Sequence, residues 1–486
     1  MAFGLNRFTG LDKTPIELAW LIREHQRLAR EIDDAAAAFE ARGRRADERC
    51  LEKLREVLRS VDVVIALRPV RFDPKLIPTV RRKAPRLYPY GVLSRDILNL
   101  LRRHTRLTAA GQKALRRPSH DNRMAYPTKW LLWDTFRMSP FEFESGVQAI
   151  FSDLEQTAYA QQLVPVGTPG GIKVRVNQTG VRFDVRAYID ANGKRREEYL
   201  GTLGSADTSE VQEAMLVARR QKALGVLLKA AGYQFSDRKT FDTLAVLHNH
   251  GVFAGGATLL GSHAYGALMN SLGFRAPPYM TQDVDIGRRE SLKLVGSKTG
   301  VLDLRAILKQ TGLQLVDVPG LDRKSPSTSL KERGASRFRI DLLAPSSTLE
   351  YGTIEVPELS GHAATLPFLG YLLGERVSRV VLGPRGTVPV VVPAPARFAL
   401  HKVLVSQLRA NDASKSSKDL QQASAVIEAL TLRVPDDLEE AAVAMPRSAV
   451  PKFKAGLTAL ERTVGLSEDS MRTVSAIRQA IKHAQP

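Results

Sequence analysis

Two aspartates one residue apart stand in the run Thr281-Gln282-Asp283-Val284-Asp285-Ile286. The apolar positions 284 and 286 alternate with the acids, so the spacing predicts a strand. A strand turns successive side chains to opposite faces, which puts Asp283 and Asp285 on one face about 7 Å apart, with Val284 and Ile286 in the core. Two such carboxylates repel unless a cation lies between them. Hard divalent ions such as Mg²⁺ favour this all-oxygen setting, usually completed by substrate phosphates. A third acid, Asp341, lies in Phe338-Arg339-Ile340-Asp341-Leu342-Leu343, again with alternating apolar residues. It joins the same face if the two strands are neighbours. Upstream, Gly261-Ser262 follows an apolar run and opens a helix expected to end at Gly273. Free N–H groups and the helix dipole at such a start attract phosphate oxygens. Gly261 allows close backbone approach, and Ser262 adds a hydroxyl.

The elements that hold these residues form four blocks. Residues 1–118 read as a basic helical hairpin. Thr14-Pro15-Ile16-Glu17 is a helix start, and a second helix covers about 46–66. A Pro/Arg-rich connector follows from Arg68 to Pro89. A later helix pair, from Ser94 and around Thr108–Arg117, is compatible with a helix-turn-helix. Residues 119–250 hold an aromatic cluster (Trp130, Trp133, Phe136) and a helix through Ile150, Leu154 and Leu163. A three-stranded β-meander follows, over about 172–201, with Asn192-Gly193 as a hairpin turn. Its basic outward positions include Lys173, Arg175, Arg182 and Arg186. Two more helices, about 208–231 and 238–249, complete the block. Residues 251–393 mix strands and helices and carry the acids, with Val252 to Leu260 expected as a strand leading into Gly261. Residues 394–486 read as all helix, beginning at Pro395.

The chain has 486 residues, 71 Lys and Arg against 51 Asp and Glu, and a formal charge of +20. That excess favours an anionic partner such as nucleic acid or nucleotide phosphates. Residues 1–117 hold 26 basic and 14 acidic residues, over half of the excess. Nucleic-acid contact through residues 1–118 and through the basic meander is therefore an expectation. For the meander, an amphipathic sheet covering the core is an equal alternative. A single cysteine, Cys50, excludes an internal disulfide and a Cys-rich zinc site. No apolar run is long enough to span a membrane, and the first residues carry no secretory signal. The expected compartment is the cytoplasm.

A Gly-Ser turn, an Asp-x-Asp strand and a later strand Asp resemble the polymerase-β-like nucleotidyltransferases, and more narrowly a bacterial family of nucleotidyltransferase-fold proteins. The resemblance covers about 140–445. It includes the meander, Pro319-Gly320-Leu321-Asp322, Arg339-Ile340-Asp341-Leu342-Leu343, Pro393 to Lys402, and Lys415 to Ala423. It implies an α+β fold: a mixed sheet with flanking helices, a helical C-terminal region completing the nucleotide site, and the meander and N-terminal helical block outside the core. It also implies an enzyme that transfers NMP from an NTP to an acceptor, RNA (tRNA included) or protein. Asp283, Asp285 and Asp341 would then be catalytic and hold two Mg²⁺. Gly261, Ser262, Lys402 and Lys418 would bind the nucleotide. Arg409, expected two turns after Lys402 on the same helix, would join a phosphate clamp with them. Lys402, Lys418 and Asp419 are arranged as in related toxins, so an antitoxin partner and a phage-defence role are expectations too. One departure stands out: about twenty residues separate Ser262 from Asp283, more than in minimal relatives. His263 is a candidate to face the nucleotide, and His401 reads as a packing residue. The competing reading is a catalytically inactive protein of this fold that binds nucleic acid as a regulator.

Overall fold

A computed structural model describes residues 16–42, parts of 48–62, and 141–484 except 162, 192, 279–280, 295–299, 321–324 and 410–411. All of them belong to one compact unit formed by residues 1–77 and 137–486. The Pro/Arg connector, the helix pair after Ser94, the aromatic cluster at 130–136 and Leu321-Asp322 lie outside the described residues.

The fold is α+β. Helix α1 (Ile16–Arg42) precedes β1 (Phe141–Glu142) and α2 (Ser145–Tyr159). Next come the meander strands β2 (Gly171–Val176), β3 (Arg182–Ile189) and β4 (Arg195–Thr202), and then α3 (Ala206–Ala231) and α4 (Arg238–Asn249). The central region holds β5 (Thr258–Leu259), α5 (Gly261–Leu272), β6 (Phe274–Arg275), β7 (Asp283–Gly287), α6 (Leu304–Leu308), β8 (Leu315–Asp317), β9 (Ser329–Glu332), β10 (Arg339–Pro345), β11 (Gly352–Val356), β12 (Gly361–Leu366) and α7 (Leu369–Leu372). A hairpin, β13 (Arg376–Gly383) and β14 (Gly386–Pro393), leads to α8 (Pro395–Ser406), α9 (Ala413–Arg433), α10 (Asp436–Val443), α11 (Val450–Thr463) and α12 (Glu468–Ala484).

The central sheet runs β11-β12-β10-β7-β5, with β9 also pairing to β10 and β8 to β9. Strands β7 and β10 are parallel. The residues alternate as the strand period requires: Val284, Ile286, Ile340 and Leu342 are buried, and the intervening positions 283, 285, 339 and 341 are not. The same apolar core contains Phe398, Leu400, Ile427 and Leu457 from the C-terminal helices. A second core joins Leu28 of α1 to Ile150, Leu154, Leu224 and Val380, and Phe143 stacks on Tyr233 with ring centroids 3.9 Å apart.

Three details of the sequence reading are corrected. Residues 252–256 form turns rather than strand, and only Thr258–Leu259 pairs with the sheet. Gly251 and Gly256 adopt positive φ (69° and 113°), and the amide of Gly255 donates to the carbonyl of Gly251, which coils the chain before it reaches β5. Helix α2 stops at Tyr159, and Leu163 lies beyond it, 65% exposed. In the meander, Val174 and Val176 are exposed rather than inward (53% and 59%). Strand β2 is an edge strand of its three-stranded sheet, and its last four residues are open on both faces.

The C-terminal helices bury one acid at a cost. Glu428 on α9 is 6% exposed and accepts a hydrogen bond from the amide of Ser467 (3.2 Å). Burial pushes its pKa up to about 7. The folded state thus holds a proton that the unfolded chain releases above about pH 4.5, so this site lowers stability progressively from pH 4.5 to 7 and fully above. Glu428→Gln should therefore raise stability at pH 8 by about 2–3 kcal/mol and leave it nearly unchanged at pH 4.5. Chemical denaturation at the two pH values checks this; equal effects at both would contradict it.

Candidate active site

Strand β7 carries Asp283 and Asp285 to one side of the sheet. The parallel register sets Asp341 of β10 beside Asp285, and Arg339 beside Asp283. The three acids therefore lie on one side of two adjacent strands. Asp283 is exposed at the rim, and Asp285 and Asp341 are half-buried. Burial, reinforced by the Asp341 and Asp283 carboxylates, pushes Asp285 up to about 6, against the pull of Lys402 and Arg409. Partial burial and Asp341 also raise Asp283. Arg339 enters as an unforeseen member: its Nε donates to Asp341 Oδ1 (2.6 Å), and its guanidinium also donates to Ser329 Oγ (2.8 Å). It sits two residues before Asp341 and so on the same face, a signal that the alternation already contained.

Helix α5 begins where β5 meets this face. The amide of Leu260 donates to the carbonyl of Asp285 (2.9 Å). Gly261 has φ +65°, and a Cβ there would lie 2.1 Å from Asp285 Oδ2. Only glycine lets the helix start press against the acid. No side chain caps this helix, so its first amides remain for another acceptor. The amide nitrogen of Gln422, on α9, donates to Ser262 Oγ (3.3 Å). His263 beside it is held neutral, its pKa lowered to about 4 by burial.

The long stretch between Ser262 and Asp283 is accounted for. Twelve residues form α5, Gly273 ends it in the left-handed conformation (φ 82°), and β6 then pairs with β1. The remainder helps to line a cleft of about 740 Å³ that opens beside Asp283. Ser262, His263 and Asn270 line it from α5, Phe235 and Asp237 from the loop before α4, and Lys418 from α9.

Helices α8 and α9 bring the cations. Lys402 Nζ donates to Asp419 Oδ1 (2.7 Å), and Arg409 Nη1 lies 2.8 Å from Asp419 Oδ2. Arg409 is not on the helix of Lys402 as expected, because α8 ends at Ser406; it reaches Asp419 from the following turn. Lys418 is lowered by burial and by Lys402, and Asp419, Asp283 and Asp285 oppose that shift. His401 is buried and neutral, its pKa pushed down to about 3, as suits a packing residue. Asp419 is only 1% exposed, so Lys402→Ala should cost about 2–3 kcal/mol in denaturation, the penalty of a buried carboxylate left with one partner. Loss below about 0.5 kcal/mol would contradict the buried pair.

An uncapped, glycine-opened helix start thus lies against Asp285, with Asp283 and Asp341 on the same side of the sheet. Residues 238–446, spanning every element of the site, match the model of a family described as Nucleotidyltransferase, and the N-terminal region lies outside the match. This stretch of the chain is similar to that family. No curated protein and no solved structure matches the chain. Among the described residues, no helix is long and apolar enough to cross a membrane.

Proposed function

We propose that the chain is a Mg²⁺-dependent nucleotidyltransferase that moves NMP from an NTP to an acceptor hydroxyl. The observation that carries this reading is the parallel register of Asp341 with Asp285, which gathers three carboxylates on one face beside an uncapped helix start.

The residues suit divalent cations. The donors are all oxygen, and burial together with the neighbouring carboxylates raises Asp283 and Asp285 despite the nearby cations. Among the described residues no three such side chains close on one point, and Arg339 engages Asp341. Ligation by Asp341 therefore requires it to exchange Arg339 for the ion. When bound, two Mg²⁺ ions would neutralise the triphosphate and lower the pKa of the attacking hydroxyl.

The chain's own groups do the rest. Asp283 and Asp285 hold the cation site in place from a rigid strand. Asp341, once released by Arg339, would accept the proton of the attacking hydroxyl. The amides following Gly261, with Ser262, would receive phosphate oxygens. Lys418 and Lys402 would balance the charge of the leaving pyrophosphate. Attack on the α-phosphorus then forms the new phosphodiester or phosphoester bond as the bond to pyrophosphate breaks.

The basic charge favours RNA over protein as acceptor. The toxin-like placement of Lys402, Lys418 and Asp419 supports a toxin with an antitoxin partner as the biological setting, and a cytoplasmic location fits both. The test is incubation with each α-labelled NTP plus total RNA and total protein, wild type against Asp283→Ala. Label should enter one fraction with wild type alone; equal labelling by both proteins would remove the catalytic reading and favour an inactive nucleic-acid binder.

A further inference from the structure

The meander does not cover the core as an amphipathic sheet would. Strand β4 buries one residue, Leu200, β3 buries Asp184 and Val185, and β2 buries none. The inner side is fixed by Asp184, 4% exposed, which accepts hydrogen bonds from the amide of Gly204 and the hydroxyl of Thr208 at the start of α3. The outer face follows from the register. One row across the sheet is Lys173, Val185 and Tyr199, and the next is Arg175, Phe183 and Thr202. At the far end Ile189 faces Arg195.

This outer face joins an aromatic centre to a basic rim. Tyr199 is 65% exposed. Its ring lies 5.5 Å from the half-buried ring of Phe183, tilted by 49°. Lys173, Arg175 and Arg195 project from the same face. One acid shares it, Glu197, and Arg175 neutralises it at 2.6 Å. Across the whole meander the other acids are spent: Glu198 faces Arg186, Asp190 faces Arg196, and Asp184 is buried. Lys173, Arg182, Lys194 and Arg195 form no ion pair among the described residues. Of these, Lys173 and Arg195 share the face of Tyr199, and cations beside an exposed ring favour a polyanion with flat faces to stack.

We propose that the outer face of the meander is a platform for single-stranded nucleic acid: a base stacks on Tyr199 against Phe183, and Lys173 and Arg195 hold the flanking phosphates. A duplex keeps its bases stacked internally and offers only phosphates, so it binds less well. The assignment concerns binding alone and stands or falls independently of nucleotidyl transfer.

Fluorescence anisotropy of the full chain with labelled 15-nucleotide oligo(U) and oligo(dT) tests it. A matching duplex and polyglutamate serve as competitors. Wild type and Tyr199→Phe should bind alike, and Tyr199→Ala should bind roughly tenfold or more weakly, as loss of one base–aromatic stack predicts. Lys173→Ala with Arg195→Ala should flatten the dependence of log affinity on log salt by about 1.4, two single-strand phosphate contacts. Tyr199 is exposed, so unchanged melting of Tyr199→Ala separates binding from folding. Preference for either oligonucleotide supports the platform and identifies the polymer. No binding by wild type, equal binding by Tyr199→Ala, or displacement by polyglutamate as readily as by the single strand would overturn it.

Discussion

Asp285→Asn should abolish NTP-dependent pyrophosphate release, by about 10³-fold or more, while making the protein more stable. Both effects come from the same burial and crowding. Asp285 lies between Asp283 and Asp341, against the start of α5, and its pKa is pushed up to about 6. Its ionised form is costly in the folded state and cheap in the unfolded one. The sign follows: the penalty is absent below about pH 3.8, grows as pH rises towards 6, and is complete above it. In a chelator, the amide should therefore stabilise the fold at pH 8 by about 2–3 kcal/mol and have little effect near pH 4. The activity loss reflects removal of a charge that positions the reacting phosphate, where such preorganised groups each contribute several kcal/mol to the barrier. Denaturation at the two pH values and a pyrophosphate assay read the two effects separately. A variant that keeps full activity would show that Asp285 has no part in the chemistry.

Gly261→Ala carries the second large effect. The backbone at Gly261 adopts φ +65°, and an added Cβ would fall 2.1 Å from Asp285 Oδ2. No side chain can enter without moving either the helix start or the acid. The strain of a left-handed non-glycine residue is about 1 kcal/mol, and the overlap adds to it. Destabilisation of about 2–4 kcal/mol is expected, with activity reduced at least 100-fold even at temperatures where the variant is folded. Gly180 is a useful contrast. It also has positive φ (80°), but its Cβ would meet nothing within 4 Å, so Gly180→Ala should cost only the backbone term and spare activity. Similar losses at the two glycines would mean that contact with Asp285 is not what Gly261 protects.

Much of the site was legible because strand periodicity is a local property. The alternation in 283–286 and 338–342 placed the three acids on polar faces without reference to the rest of the chain. Helix α5 was equally readable from Gly261 at one end and Gly273 at the other. What pairs with what is a long-range property, and there the reading ran out. Nothing in the sequence around Asp341 states that β10 lies beside β7 in parallel, or that Arg339 would pair with Asp341. The turn at 252–256 was misread as strand because its apolar residues outweighed the glycines that coil it. Arg409 was placed on the helix of Lys402 by counting turns, although the helix had already ended at Ser406. Val174 and Val176 were assigned to an inner face by alternation alone. Alternation distinguishes two faces of a strand but not whether anything covers either, and for the last four residues of β2 nothing does.

Counting bound Mn²⁺ by electron paramagnetic resonance, with a non-hydrolysable NTP analogue present, probes the gathered acids most directly. The wild-type chain should bind two ions per molecule in an analogue-dependent manner, and Asp283→Asn and Asp285→Asn should each lose at least one. Identical counts in wild type and both variants, or no analogue-dependent binding by the wild type, would contradict the assignment of these carboxylates to divalent-cation chemistry.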